Sequence, residues 1–237
     1  EFKKNGVNSI ILDTRKDPKS EIIDEAKNLG IKIKFSYVVV AAKGYKKVKS
    51  ADIAKISDNK EELGKVENIS CDCICVSGFW TPTIHLASQS GNKTKFKEDI
   101  DAFVPGVSKQ NETTLGAANG SFTLTETLKS SFEAGYELSK KITKNDNMIS
   151  FPNVVEKKST VHDKFWCVPL PKGKTYKRFL DFQNDVAVSD IELALREGFR
   201  SIEHVKRYTT LGMATDQGKT SNLNGLQLVS KIENKVV

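Results

Sequence analysis

Apolar runs are short throughout the 237-residue chain. None approaches the roughly 18–20 consecutive apolar residues of a membrane-crossing helix, and no basic-then-apolar leader opens it. Neither a membrane span nor a secretion signal is expected. Arginine is scarce. The 37 basic residues exceed the 30 acidic ones by a net +7, and almost all of them are lysines scattered beside Asp and Glu. The densest cluster, Lys46, Lys47 and Lys49, lies in a turn-like stretch, and no arginine stripe interleaves with aromatics. A nucleic-acid partner is therefore not expected.

Cysteine numbers four, too few for a disulfide framework. Cys71, Cys73 and Cys75 alternate as strand residues do, which would place Cys71 and Cys75 on one face and Cys73 on the other. Neighbours two apart on one strand are not readily bridged. No CxxC pair offers metal spacing, so no metal site is expected. A buried strand in a reducing compartment fits the pattern, and with it a cytoplasmic location. The three histidines, His85, His162 and His204, have no ligand partner at metal spacing and no Ser-His-Asp context. No GxSxG elbow is present, and no residue is assigned a catalytic role.

What the chain does contain is a soluble globular composition, 38% hydrophobic and 28% charged with a mean hydropathy of −0.40. Recurrent aromatic and β-branched residues exclude a disordered chain. The first part reads as alternating strand and helix. A short run, residues 9–12, precedes Asp17-Pro18, an N-cap and first-turn proline signal. Ile22, Ile23, Ala26 and Leu29 form a helical stripe that Gly30 closes. Strands are expected at 31–35, 38–40, 51–56 and 71–77, with a Lys43-Gly44 turn and a polar loop over 57–65. Short strands follow at 102–106 and near Leu115.

The Gly116-to-Gly120 turn then leads into a helix with Leu124, Leu128, Phe132, Gly135, Leu138 and Ile142 along one side. Ser131, Ala134 and Gly135 are small enough for close approach to a sheet. The polar run 144–147 is the best domain boundary. After it come residues 154–161, the run Phe165-Trp166-Cys167-Val168-Pro169, a turn at Lys172-Gly173-Lys174, and a strand at 179–182. Ser189 and Glu192 read as a capping box, Gly198 as a helix stop, 201–208 as a second helix and 223–237 as helix-like.

Three loops could carry chemistry. Residues 212–220 resemble a phosphate loop, but five residues separate Gly212 from Gly218 where the motif needs four, and a helix precedes them. A cationic loop of this kind could still hold a flavin phosphate, or be a capped surface turn. The Gly78-to-Pro82 turn, with Trp80, follows the expected strand 71–77, where α/β sheets place ligands. It could equally be a packing turn. The Gly116-to-Gly120 turn sits at a strand-to-helix junction, which favours a nucleotide contact. The residues alone thus give an α/β nucleotide-binding segment followed by a smaller mixed segment.

Three stretches carry a resemblance. They are Val76-Ser77-Gly78-Phe79-Trp80-Thr81-Pro82-Thr83-Ile84-His85-Leu86, residues 116–124, and the run from Asp181-Phe182-Gln183-Asn184-Asp185-Val186 to Asp216-Gln217-Gly218-Lys219-Thr220-Ser221-Asn222. There the chain resembles the α subunits of heterotetrameric sarcosine oxidases. The resemblance implies the later part of a two-dinucleotide-binding-domain, disulfide-reductase flavoprotein-like module at 1–145. A small α+β middle domain would follow at 146–237, ahead of an aminomethyltransferase-like domain that binds tetrahydrofolate. On this reading the chain is an internal fragment, cut at Glu1 and Val237, and the first glycine fingerprint lies outside it.

The resemblance also implies NAD in this subunit, FAD and the amine-oxidising site on a β subunit, and FMN at the α/β boundary. The partners would be β, γ and δ subunits. The reaction would be oxidative demethylation of sarcosine to glycine, with formaldehyde or methylenetetrahydrofolate and hydrogen peroxide as products. Ala117 stands where related flavoproteins carry an acid, which suits NAD over FAD. The expected NAD-site residues are Gly78, Trp80, Gly116, Ala118, Gly120, Thr123 and Thr125. The expected FMN contacts are Lys206, Arg207, Thr209, Gln217, Lys219 and Thr220. Related α subunits serve opine oxidases, proline dehydrogenases and cyanide-forming glycine dehydrogenases, and a non-catalytic assembly scaffold is the alternative of another class. Cys167 alone in the middle domain disfavours an iron–sulfur cluster.

Overall fold

The structure, a computed structural model, describes residues 1–78, 80–143, 150–151, 154 and 164–235. In chain order its elements are β1 (Ile10–Asp13), α1 (Glu21–Asn28), β2 (Lys32–Phe35), β3 (Tyr37–Gly44), β4 (Val48–Ile56) and β5 (Leu63–Ser70). Next come α2 (His85–Gln89), β6 (Thr94–Lys97), β7 (Ala102–Pro105), a 3-10 turn (Gly116–Asn119) and α3 (Leu124–Thr143). The last are β8 (Phe179–Asp181), β9 (Val186–Ala187), α4 (Val188–Arg196), α5 (Ile202–Thr209) and α6 (Asn222–Glu233). The chain divides into two compact units, Glu1–Val76 with Asp163–Val237, and Ser77–His162. The polar run 144–147, Phe79, His162 and all of 154–161 except Val154 lie outside the described residues.

In the first unit β1 and β2 pair in parallel, from Ile10 opposite Lys32 to Asp13 opposite Phe35, with α1 as the crossover. Ile23 and Ala26 form the buried face of α1, while Ile22 is exposed. The helix starts later than the Asp17-Pro18 signal. Ser20 is its N-cap, in extended backbone with its hydroxyl accepting the Ile23 N–H at 3.4 Å. Gly30 follows the helix with φ +70°, the left-handed stop that its position suggests.

Strands β3, β4 and β5 form an antiparallel meander. The central β4 buries Ala51, Ile53, Ala54 and Ile56. The expected loop over 57–65 is shorter than the sequence suggests, because β5 already begins at Leu63. Its pattern is obscured by polar residues that neighbouring strands satisfy. Glu67 accepts from Lys34 Nζ at 2.5 Å and from the Tyr37 hydroxyl at 3.0 Å. Asn68 donates to the Asp52 carboxylate at 2.8 Å.

The expected strand 71–77 is not formed. The Cys71 N–H still donates to Lys49 O at 3.1 Å, but the β4–β5 ladder has ended at Ser50 opposite Ser70. Beyond it, no ladder among the described residues takes up the alternating pattern. Cys73 and Cys75 are exposed with their sulfurs 3.8 Å apart, not on opposite faces.

Asp52 ties the meander to the far end of the chain. It is 2% exposed, so its charge requires partners. Lys43 Nζ lies 2.8 Å away, and the Tyr176 hydroxyl donates from 3.3 Å, across 124 positions of sequence. The Lys43 bond, then that from Asn68, hold the carboxyl below its usual range against the upward pull of burial.

The carboxy-terminal part of this unit builds its own core. Leu180, Val186, Val188, Ile191, Leu195, Val205, Leu211 and Leu228 pack together, with Cys167, Phe199 and Ile202 against them. The capping box expected at Ser189 and Glu192 is displaced. α4 starts at Val188, and the Asp190 carboxylate accepts the Ala187 N–H at 2.8 Å. Glu192 instead pairs with Arg178 at 3.4 Å. Gly198 ends α4 with φ +98°.

The second unit contains the β6–β7 hairpin, α2, the 3-10 turn and α3. Glu112 braces the hairpin's flanks by accepting from Ser90 and Asn92. Leu115 is extended but belongs to no strand. Asp52→Ala would leave Asn68 and Tyr176 without their shared acceptor and should lower unfolding free energy by about 1–3 kcal/mol. Urea denaturation measures it, and Tyr176→Phe, which loses one hydrogen bond, should give a smaller loss.

Candidate functional site

The loop between α5 and α6 is organised by carboxylates. Asp181, at the end of β8, is 2% exposed. Its Oδ2 accepts the Gly212 N–H at 2.8 Å and the Ser221 hydroxyl at 3.4 Å. Its Oδ1 accepts the N–H groups of Gln183 at 2.9 Å and Asn184 at 3.3 Å. Burial pushes this carboxyl up, but the four donors outweigh it and hold it below the ordinary value. Asp216 repeats the device within the loop, accepting the Gly218 N–H at 3.0 Å and the Thr220 hydroxyl at 3.1 Å.

The two glycines that suggested a phosphate loop serve another purpose. Gly212 and Gly218 have φ +68° and +76°, and a Cβ on them would lie 2.0 and 2.2 Å from atoms of the Asn222 side chain. They make room for Asn222, whose Nδ2 donates to Gln217 O at 3.1 Å. Their N–H groups are already taken by Asp181 and Asp216.

The expected FMN-contact residues divide accordingly. The Thr209 hydroxyl donates to Val205 O at 2.7 Å and accepts the Leu211 N–H, while the Thr220 hydroxyl is held by Asp216. Lys206 is half-buried, with Nζ 4.0 Å from Glu203. Arg207 is exposed in the last turn of α5, and Gln217 and Lys219 are exposed on the braced loop. A guanidinium at the end of α5, with an ammonium and an amide on the loop that follows, is a set of groups that can hold an anionic or carbonyl-bearing group. Asp181, Asp216 and Asn222, which shape the loop, were not singled out from the sequence. A carboxylate ending the apolar pair Phe179-Leu180 is the signal that marks Asp181.

In the second unit the Gly116-to-Gly120 turn approaches Pro82. A Cβ on Gly120, at φ +79°, would strike Ile100 Cδ1 at 2.6 Å and Val104 Cγ1 at 3.1 Å, with Pro82 Cγ at 3.9 Å. Gly116, at φ +64°, would meet Thr127 Cγ2 at 3.0 Å. Both glycines thus serve close packing. Thr123 caps α3, its hydroxyl accepting the Glu126 N–H at 3.2 Å, and this cap leaves the preceding first-turn N–H groups to other partners. Ala118 and Thr125 are half-buried beside it, and Gly78 and Trp80 are exposed. The turn can receive a polar or anionic group at the positive end of a 20-residue helix.

Among the described residues no group of three or more His, Cys, Asp or Glu has metal-holding geometry, and no helix is long and apolar enough to cross a membrane. The Asp181 device has an acid signature. A depressed folded-state pKa contributes stability above the unfolded value near 4, which is lost as pH falls through the folded value. Asp181→Asn should therefore lower stability at pH 7 by about 1–3 kcal/mol and flatten its fall below pH 4, as measured by urea denaturation across pH.

Comparison with known proteins identifies relatives of the chain. Residues 175–237 match the sarcosine oxidase A3 domain. The chain is 35% identical over 200 residues to sarcosine oxidase subunit alpha of Rhizobium meliloti, which covers 82% of this chain and 19% of that one. It is 28% identical over 214 residues to its namesake from Corynebacterium sp. strain P-1, covering 88% and 22%, and 30% identical over 195 residues to that of strain U-96, covering 77% and 19%. The chain thus spans about a fifth of the length of these relatives. In fold, it is similar to L-proline dehydrogenase from P. horikoshii, with a TM-score of 0.51 at 18% identity, covering 97% of this chain and 45% of the other. The structural likeness is one of mixed α/β fold alone, and in sequence the chain is homologous over most of its length to part of the sarcosine oxidase α subunits.

Proposed function

We propose that the chain is part of the α subunit of a heterotetrameric sarcosine oxidase, binding NAD and contributing one wall of an FMN site shared with a β subunit. The observation that carries this reading is the similarity to sarcosine oxidase α subunits over most of the chain. Residues 1–145 are read as the later part of a two-domain nucleotide-binding module, and 146–237 as the middle domain. FAD and amine oxidation are assigned to β, tetrahydrofolate to a further domain of α, and γ and δ complete a cytoplasmic complex. The reaction assigned is oxidative demethylation of sarcosine to glycine and hydrogen peroxide, with the one-carbon unit released as formaldehyde or methylenetetrahydrofolate.

The chemistry of the residues fits both cofactors in part. To the NAD site we assign the start of α3 with Gly116, Ala118, Gly120, Thr123 and Thr125, and also Gly78 and Trp80, both exposed. Ala117 brings no carboxylate against a ribose or phosphate there. FMN, when bound, supplies the passage of electrons to oxygen. Arg207, Gln217 and Lys219 are the outward groups suited to its phosphate and ring carbonyls, with Lys206 at the edge. Thr209 and Thr220 act as positioning residues, since their hydroxyls are engaged within the loop.

Co-expression of the whole α subunit with β, γ and δ should give sarcosine-dependent hydrogen peroxide. Turnover of proline or an opine without sarcosine turnover would reassign the substrate. Equilibrium dialysis of the α subunit should retain NAD, whereas no retention would favour an assembly scaffold. Replacing Arg207 and Lys219 together by Ala should lower the FMN incorporated per complex by about tenfold or more, given about 1.5–3 kcal/mol for each charge-assisted bond.

A further inference from the structure

The net charge of the chain resides in one stretch. Residues 26–51, between Glu25 and Asp52, hold seven lysines and no acid. Removing these seven from the 37 basic residues leaves 30, equal to the 30 acidic ones. Three of the seven are engaged locally. Lys34 pairs with Glu67 at 2.5 Å, Lys43 pairs with Asp52 at 2.8 Å, and Lys27 lies over the Phe35 ring. Lys46, Lys47 and Lys49 are exposed, and among the described residues no acidic side chain pairs with them.

These three lysines belong to the tip of the β3–β4 hairpin. The ladder closes at Gly44 opposite Val48, and residues 45–47 make the turn. A Cβ on Gly44 would lie 2.0 Å from Lys47 O, so glycine lets the two arms close tightly there. The ion pair from Lys43 in β3 to Asp52 in β4 braces the arms behind the turn. The compact tip holds Tyr45 outward at 94% exposure.

A tyrosine on a rigid turn, flanked by ammonium groups, has the chemistry of a protein contact. The ring offers contact area at low entropic cost, and the charges beside it steer the encounter. Nucleic acid would need more, since three ammonium groups neutralise about three phosphates and the tip has no arginine and no second ring on which bases could stack. One ring and three charges also fall short of the amphipathic helix or lipid chain that holds a protein on a membrane. Steering serves two chains that must meet by diffusion, whereas a segment of the same chain is already present at high effective concentration.

We propose that the Tyr45-to-Lys49 tip docks on an acidic surface of a partner subunit. Tyr45 is the anchor, and Lys46, Lys47 and Lys49 are the rim that draws the acidic surface in. The proposal rests on the reading of the chain as part of one subunit of a multi-subunit enzyme, and it adds where a partner sits and what charge it carries.

The test is association of the complete α subunit with separately produced β, γ and δ subunits, followed by biolayer interferometry at several salt concentrations. The triple reversal Lys46→Glu, Lys47→Glu and Lys49→Glu should slow association about tenfold or more at low ionic strength, with the gap closing as salt is raised. Tyr45→Ala should leave association unchanged and speed dissociation about tenfold or more. The same change of net charge at three other exposed lysines, Lys93→Glu, Lys95→Glu and Lys109→Glu, should alter association about twofold or less. Equal slowing by the two triples would overturn the proposal, because net charge alone would then account for it. Subunit binding that the tip reversal leaves unaltered would overturn the proposal and spare the multi-subunit reading, whereas no binding of any subunit by the unsubstituted α subunit would remove both. Loss of binding to single-stranded RNA or phosphatidylserine vesicles on tip reversal, with subunit association intact, would reassign the tip to that partner. If a variant fails to fold, lysine acetylation of the unsubstituted protein, mapped by mass spectrometry, decides the matter. Lys46, Lys47 and Lys49 should react like Lys93 in the complete α subunit and become protected in the assembled complex. Protection already present in the α subunit alone would contradict the proposal in favour of a cover from the same chain.

Discussion

The carboxylate of Asp181 is the interaction on which the α5–α6 loop depends. A negative charge with 2% exposure is tolerable only when its lone pairs are filled, and here three N–H groups and one hydroxyl fill them. The donors come from the turn after β8 and from both ends of the loop. One side chain thus fixes the hairpin turn, Gly212 and the residue before α6 relative to one another. The hydrophobic cluster around Ile191 and Leu211 supplies the attractive term, but it is non-directional. The carboxylate supplies the direction.

The same logic recurs at Asp52 in the meander. There a buried acid gathers Lys43, Asn68 and Tyr176, so that a residue from the A3-domain stretch is locked to a strand far earlier in sequence. Both acids lie in strands and both have depressed pKa values, so the first unit should share one acid sensitivity across its two halves. The consequence is a loop braced by its own side chains, with Gln217 and Lys219 exposed on it and Arg207 exposed at the end of the helix before it. Such preorganisation reduces the ordering entropy of binding.

Much of the secondary structure was legible because period and punctuation agree. β1, β2, β4, α3 and α5 follow from their apolar spacing, and Gly30 and Gly198 mark helix ends. β5 was only partly legible, since Glu67 and Asn68 are polar for the sake of partners on neighbouring strands. The strand pattern at 71–77 misled for the converse reason: alternation describes what a segment could pair with, not whether an edge is there. The Ser20 cap displaced the Asp17-Pro18 signal because a cap is decided by local backbone geometry, which a motif does not contain. At the candidate site the cationic loop was legible, whereas the reason for its glycines was not. The contact that requires them, Asn222 lying over Gly212 and Gly218, is tertiary.

The account rests most heavily on Asp181 holding the loop in its ligand-free state. Amide hydrogen exchange at Gly212, followed by NMR as a function of pH, addresses that directly, because this N–H donates to Asp181 Oδ2 at 2.8 Å. The account predicts that Gly212 exchanges only through opening of the whole carboxy-terminal core near neutral pH and loses its protection as the carboxylate becomes protonated in acid. Exchange at the rate of an open loop amide at neutral pH, or protection indifferent to protonation of Asp181, would contradict it.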